Sequence, residues 1–580
     1  MEKKEGGTSM SNEVLTNAER IAHALKRHGV EYIFGQSNPP GVASACEAIG
    51  IRQIGYRAEN TGSYMIQGYG ICSGKIPVLL SQNGPAATLI AAGLAESYKS
   101  SYPVVALVQD IYTEFEEKNA FQELDHFKLF DGISKWVKKI PCQERIEDYI
   151  DMAFVAALSG RPGPAVLLCP TGIVLDHNKY PVSPYRTAAY NRFPLDRSVA
   201  DPSVVEKAAE MLAAAERPLI YAGGGVVSSD ASAELCRIQE DFAIPVATTS
   251  MGKGSVDENH PLTMGTIGYY MGKRGQTKYM RSMVKEADLI MLIGNRTNQN
   301  GTDMWTALPE GIQYIHLDID PMEIDRNYEG LRLVGDAKLT LGLLYEKLQK
   351  ADLTKRKEKR SAVESVIAEA KKAHMEEAAA VKESDAVPIR VERLLNEIDK
   401  NLDDDHIVVA DASFSSIWVA NYIRAKGTRK FVLPRGMAGI GWGLPMAIGA
   451  KVAKPDRKVF CLAGDGGFAH AWSELETCVR ENLPLVLVVI NNEILGYQKF
   501  YEFSNFGHAS TACDLKPVDH AKIAEACGAK GVRVERPEEL GKVLREAFDA
   551  KGPVLIDVIC EPVCIPPLPA MEFLDNVKAE

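Results

Sequence analysis

The sequence predicts an α/β chain of three doubly wound parallel-sheet domains. Strand-like apolar runs alternate with amphipathic helical stretches, and the alternation repeats in three blocks of similar size. Several runs are almost wholly apolar and β-branched, as in Val104-Val105-Ala106-Leu107-Val108 and Leu485-Val486-Leu487-Val488-Val489-Ile490, which suits parallel strands buried on both faces. At 580 residues the chain is too long for one hydrophobic core.

The first block spans 10–182. Its strands include Tyr32-Ile33-Phe34 and Val78-Leu79-Leu80, and Arg161-Pro162-Gly163-Pro164 is a turn feeding a last buried strand from Ala165. Residues 1–9 read as a disordered leader, with Met10 as a second candidate start. A Pro- and Arg-containing linker, about 183–200, leads to the second block, 200–345. There Pro218-Leu219-Ile220-Tyr221-Ala222 and Leu289-Ile290-Met291-Leu292-Ile293 each run into glycine, and Tyr314 to Leu317 forms a further strand ending at Asp318. Residues 351–385, rich in Lys, Glu and Ala, read as a solvated helical connector without a binding role. The third block spans 388–565.

Composition narrows the function classes. A net charge of −11 argues against nucleic acid and anionic membranes as partners and leaves small-molecule substrates. No stretch has the length of a membrane span and no signal peptide opens the chain, so a cytoplasmic enzyme is expected. The eleven cysteines are mostly scattered singly in apolar segments, like reduced core thiols, and Cys560 and Cys564 lack the further ligands a zinc site needs.

The third block carries the most specific signal. Gly464-Asp465-Gly466 closes the run Val459-Phe460-Cys461-Leu462-Ala463, and Asn491-Asn492 closes the next run, with Asn492 27 positions after Asp465. Flanking glycines let the backbone approach a diphosphate while the Asp465 carboxylate faces the same point. The periodic stretch Trp472, Leu475, Cys478, Val479 predicts a following helix with its N-terminal amides toward the anion. A carboxylate, an amide oxygen and a main-chain carbonyl are hard ligands that suit Mg²⁺.

These residues resemble the fingerprint of the thiamine diphosphate enzymes, GDG followed by NN at this separation. Over nearly the whole chain the block order resembles the acetohydroxyacid (acetolactate) synthase and pyruvate oxidase branch: a pyrimidine-binding, a central and a diphosphate-binding domain. The resemblance implies metal ligation by Asp465, Asn492 and the carbonyl of Ile494. It also implies cofactor contacts from Gly464, Gly466, Gly467, Leu495 and Gly496.

Thiamine diphosphate needs a carboxyl group beside N1′ of its aminopyrimidine, where protonation favours the imino form that takes the C2 proton. Tyr56-Arg57-Ala58-Glu59-Asn60 resembles the family segment carrying that group, which makes Glu59 the expected catalytic and cofactor-binding glutamate. Gln82-Asn83-Gly84-Pro85-Ala86-Ala87-Thr88 resembles the turn beside the pyrimidine, which adds Gly84 and Pro85 to the contacts. Ala120-Phe121-Gln122-Glu123 is similar to A-F-Q-E, which makes Gln122 a second catalytic candidate facing a neighbouring subunit's site; Lys135 falls at a further family position. Arg435-Gly436-Met437-Ala438-Gly439-Ile440-Gly441-Trp442-Gly443 resembles the glycine-rich turn whose apolar residue, here Ile440 after Gly439, props the cofactor into its bent shape.

The family builds each site from two subunits, so a homodimer or homotetramer is implied. The activity implied is carboligation or decarboxylation of 2-oxo acids. Tyr497 and Tyr501 stand where relatives hold the Met and Trp that bear on the acceptor, and Gln36-Ser37-Asn38-Pro39-Pro40-Gly41 replaces the family's Y-P-G-G turn. These departures keep a related lyase or acetyltransferase open, of sulfoacetaldehyde acetyltransferase or 2-hydroxyacyl-CoA lyase type, beside a non-catalytic cofactor-binding paralogue. In the second block Gly223-Gly224-Gly225, Gly265-Thr266-Ile267-Gly268 and Gly294-Asn295-Arg296-Thr297-Asn298 lie where relatives hold FAD or ADP, leaving FAD, ADP or an empty domain.

Overall fold

The computed structural model describes residues 14–182, 186–434 and 436–568. The leader 1–9, Met10 and Arg435 of the glycine-rich turn lie outside these residues. The described residues divide into two compact units between Leu195 and Asp196.

In the N-terminal unit a parallel six-stranded sheet runs Arg52–Ile54, Tyr32–Phe34, Val78–Ser81, Val104–Asp110, Pro164–Pro170, Trp136–Lys139. Numbered along the chain, that order is 2-1-3-4-6-5. Val104 to Val108 are buried throughout, which explains why this run carries no polar alternation. The first helix, Asn17–Arg27, is fixed by a capping box in which Thr16 and Glu19 satisfy each other's main-chain N–H.

The second unit contains two six-stranded parallel sheets. In the central one the strands Thr263–Thr266, Val246–Thr248, Pro218–Ala222, Leu289–Ile293, Gln313–Asp318 and Leu331–Val334 lie in the order 3-2-1-4-5-6, the order of dinucleotide-binding folds. In the last sheet Lys430–Val432, Ile407–Ala410, Val459–Gly464, Val486–Asn491, Val554–Ile559 and Lys530–Val534 repeat the 2-1-3-4-6-5 order of the N-terminal unit.

The expected solvated connector is the helix Thr354–Lys382, and it is more than a spacer. Arg356, Ile367, Ala370, His374 and Ala378 are buried, and Ile367 and Ala370 join the core that contains Leu219 and Ile290. Charge density hid this apolar stripe in the sequence.

In a 2-1-3-4-6-5 sheet the winding direction reverses between the first and third strands, and ligands bind at the carboxyl ends of such a pair. In the last sheet these strands are Ile407–Ala410 and Val459–Gly464, which lead into Asp411 and Asp465.

Candidate cofactor site

Asp465 follows a strand buried from Val459 to Ala463 and is itself 5% exposed. Its Oδ1 accepts from the Gly466 N–H at 2.7 Å, and its Oδ2 from the N–H groups of Asn492 at 3.0 Å and Glu493 at 2.6 Å. The parallel register, Gly464 against Ile490, makes this possible by setting the two strand ends side by side. Burial pushes the Asp465 carboxyl up to about 6, against the pull of these N–H groups. The N–H groups at this point belong to the single turn Asp465–Phe468; the helix read from the Trp472 to Val479 periodicity begins only at Glu474. The periodicity marks that helix, but its N-terminal amides are not the ones beside Asp465.

Successive residues at a strand end point to opposite sides, so the two asparagines divide their work. The Asn491 amide is committed to the Val518 carbonyl and Asp557 Oδ1, both at 2.9 Å. Asn492 lines a cavity of about 380 Å³ together with Gly464, Asp465, Gly466 and Gly467. Glu493, at φ 60°, turns the chain so that Ile494, Leu495 and Gly496 line it too. Hydrogen bonds from Leu495 N–H to Cys513 and from Leu515 N–H to Glu493 hold that turn. None of the described side chains lining the cavity is Lys, Arg or His. A buried carboxylate with main-chain partners, an amide oxygen beside it and no lining cation make a donor set that fits a divalent metal.

Asp411 escaped the sequence reading and is central to the site. It is 2% exposed; its Oδ1 accepts from Ala412 at 2.7 Å and from Gly441 and Trp442 at 3.1 Å. Burial lifts its carboxyl to about 6 against these bonds. Asp411 thereby clamps the glycine-rich turn whose Ile440 lines the cavity. Gly467 is required here, since a Cβ on it would stand 2.6 Å from Asp411 Oδ2. An acidic residue closing the run Ile407-Val408-Val409-Ala410 was the available signal. Gly439 belongs to the same turn and is half-buried.

Tyr269, Asn300, Phe414 and Tyr497 also line the cavity. The Tyr497 hydroxyl is 3.1 Å from that of Tyr269, and its ring meets Phe414 edge-on at 5.7 Å. Tyr501 is 49% exposed and is not among the lining residues, so only one of the two acceptor-related tyrosines faces the cavity.

In the N-terminal unit Glu59 is the first residue of the helix Glu59–Ser73 and is half-buried. The Tyr56 ring lies so close to Gly62 that a Cβ there would stand 2.1 Å from it, and the Tyr56 hydroxyl donates to the Leu80 carbonyl at 3.2 Å. Gln36 of the altered turn donates to the Tyr56 carbonyl at 3.1 Å, so this departure from the family supports the Glu59 strand-to-helix turn. Gly84, at φ 60°, caps the helix Pro85–Ser100. Gln122, at φ 61°, packs on it, and its carbonyl accepts from Asn83 Nδ2 at 3.2 Å. Lys135 donates to the Ser159 carbonyl.

The central glycines meet each other: a Cβ on Gly223 would stand 2.2 Å from the Gly294 carbonyl oxygen, and one on Gly225 2.5 Å from Gly294 Cα. Close packing of the two turns accounts for them. The described cysteines are free thiols, and Cys564 donates to Glu392. No helix among the described residues is long and apolar enough to cross a membrane.

The chain matches three descriptions of known domains: thiamine pyrophosphate enzyme, N-terminal TPP binding domain, over 15–129; central domain, over 205–344; and C-terminal TPP binding domain, over 411–558. It is 34% identical to a probable acetolactate synthase large subunit of Methanocaldococcus jannaschii, across 97% of this chain and 95% of that one. It is 33% identical to the corresponding protein of Methanococcus aeolicus, across 94% and 92%. The acetolactate synthase isozyme 2 large subunit of Escherichia coli is 28% identical, across 94% and 95%.

Proposed function

This chain belongs to the thiamine pyrophosphate enzymes, on their acetolactate synthase-like branch, and from that premise we propose that it is a Mg²⁺-dependent carboligase and decarboxylase of 2-oxo acids. The observation that carries this reading is the buried Asp465 carboxylate, tied across two strand ends and opening with Asn492 on a cavity whose described lining has no cationic side chain.

Asp465, the Asn492 amide oxygen and the Ile494 carbonyl would hold the metal. Gly464, Gly466 and Gly467 keep side chains out of the way of a diphosphate, and Leu495 and Gly496 close the cavity beside them. Ile440, which follows Gly439 and is fixed through Gly441 and Trp442 by Asp411, would prop the cofactor bent. Bound thiamine diphosphate supplies the electron sink at the carbonyl carbon of the 2-oxo acid. Glu59 would exchange a proton with the aminopyrimidine, with Gly84 and Pro85 setting the adjoining turn and Gln122 facing the substrate.

The reading implies that complete sites form between two copies of the chain, as a homodimer or homotetramer. An apolar surface supports assembly: Phe121 is 86% exposed, and Leu89, Phe115, Leu124 and Phe127 are exposed as well. A flavin absorbance band in the purified protein decides whether FAD occupies the central domain.

The function is tested by incubating the protein with pyruvate, thiamine diphosphate and Mg²⁺ and identifying products. CO₂ release with an acetohydroxy acid product is expected. Glu59→Gln should slow C2 proton exchange of the bound cofactor by about a hundredfold or more. Exchange at the wild-type rate removes Glu59 from its role, and absence of any product from a panel of 2-oxo acids removes the proposed activity.

A further inference from the structure

We propose that His126 is a positioning residue that holds the turn Asn83-Gly84-Pro85 and, through it, Gln122. This role rests on the function proposed above, in which that turn and Gln122 serve the cofactor and substrate.

His126 is 2% exposed, and its Nε2 lies 3.1 Å from the Gly84 main-chain nitrogen. An amide N–H only donates, so Nε2 is the bare, accepting nitrogen and the ring proton sits on Nδ1. Nδ1 points at Asp110 Oδ1, 3.1 Å away. Asp110 ends the strand Val104–Asp110; its Oδ1 also accepts from Ile111 at 3.0 Å, and its Oδ2 pairs with Lys139 at 2.6 Å. Lys139 in turn pairs with Glu116 at 2.5 Å. Burial alone would raise the Asp110 carboxyl, but hydrogen bonds from His126 and Lys139 hold it below its ordinary range, which keeps it an acceptor for the imidazole.

This relay ends on one backbone N–H, and that N–H belongs to a residue whose conformation and close packing favour glycine. Gly84 has φ 60° and ψ −115°, and a Cβ on it would stand 2.8 Å from Gln122 Cβ. Gln122 itself is held at φ 61°, with its carbonyl bonded to Asn83. Gln122 and His126 therefore grip one turn from two places, through Asn83 and through Gly84. Removing the imidazole acceptor leaves a buried N–H without a partner and frees one of the two grips. A histidine whose second nitrogen is oriented by a carboxylate is a means of fixing an acceptor's direction, which plain packing does not require.

The test compares His126→Leu, which deletes the acceptor, with His126→Gln, whose Oε1 takes the place of Nε2. The readouts are the dissociation constant for thiamine diphosphate with Mg²⁺ by calorimetry, kcat on a 2-oxo acid, and thermal unfolding. His126→Leu should weaken cofactor binding and lower kcat by about tenfold each, and His126→Gln should restore both to within about threefold of wild type. Combined with Gln122→Ala, the effect of His126→Leu on kcat should be less than additive, because both act on one turn. Should His126→Leu not fold, His126→Asn, whose shorter amide does not reach Gly84, replaces it.

Equal damage from Gln and Leu, additivity with Gln122→Ala, or a lowered melting temperature with binding and kcat within about twofold of wild type would overturn the role of His126. If the wild-type protein binds no thiamine diphosphate, the function itself fails, a result distinct from normal wild-type binding that the variants leave unchanged.

Discussion

Gly467→Ala probes the brace between Asp411 and the glycine-rich turn. The added Cβ would lie 2.6 Å from Asp411 Oδ2 and 3.2 Å from its Cγ, about 0.8 Å inside ordinary contact. Asp411 has little room to retreat, because Ala412, Gly441 and Trp442 hold it at 2.7 to 3.1 Å. Overpacking of this kind costs about 1–3 kcal/mol, and losing one hydrogen bond to the charged acceptor costs about 1.5–3 kcal/mol. The two routes are alternatives, so roughly 2 kcal/mol is the expected penalty, or about thirtyfold in the dissociation constant for thiamine diphosphate. The assay is titration with cofactor and Mg²⁺ followed by protein fluorescence, since Trp418 lines the cavity. Gly342→Ala is the control: a Cβ there meets nothing within 4 Å, and the site lies inside the helix Ala337–Leu348. It should bind cofactor normally and gain up to about 1 kcal/mol of stability. A folded Gly467→Ala protein that binds within about twofold of wild type would refute Asp411 as a fixed brace.

The raised Asp411 carboxyl gives a pH dependence with a definite sign. Its folded value of about 6 lies above the ordinary carboxyl value, so the stability it contributes is fully present below about 3.9 and is lost as pH rises through about 6. Cofactor-free wild type should lose on the order of 1 kcal/mol relative to Asp411→Asn between about pH 5 and 7.5, measured by thermal unfolding of both; a gap that does not move with pH contradicts this. Tyr497→Phe removes the 3.1 Å hydroxyl contact to Tyr269 but keeps the ring on Phe414. It should shift product partition between two competing acceptors by about fivefold, whereas the exposed Tyr501→Phe should leave it unchanged; the reverse pattern would move acceptor choice out of the cavity.

What could be read in the chain followed from how local the constraint was. Gly464, Asp465, Gly466 and Asn492 are legible because each sits where an apolar strand stops, and parallel pairing then brings the two stops together. The three parallel sheets are legible for the same reason, since buried strands leave unbroken apolar runs. Asp411 is legible only as an acidic residue closing an apolar run; its role as a clamp is not, because its partners Gly441 and Trp442 lie about thirty residues on. Tyr269 joins Tyr497 across 228 positions, and its share in the cavity emerges only when the central and last sheets are seen together. The stretch after Asp465 shows a different limit: the Trp472 to Val479 periodicity marks a real helix, Glu474–Arg480, but carries no sign of the separate turn Asp465–Phe468 that supplies the N–H groups at the site.

The central claim is that Asp465 and Asn492 hold a diphosphate through a divalent metal. Calorimetric titration of thiamine diphosphate into wild type and Asp465→Asn, each with Mg²⁺ and with a chelator, addresses it directly. Saturable binding by wild type that needs the metal, weakened by more than about thirtyfold in Asp465→Asn, is expected. Equal affinity with and without metal, or in the variant and wild type, would contradict the account.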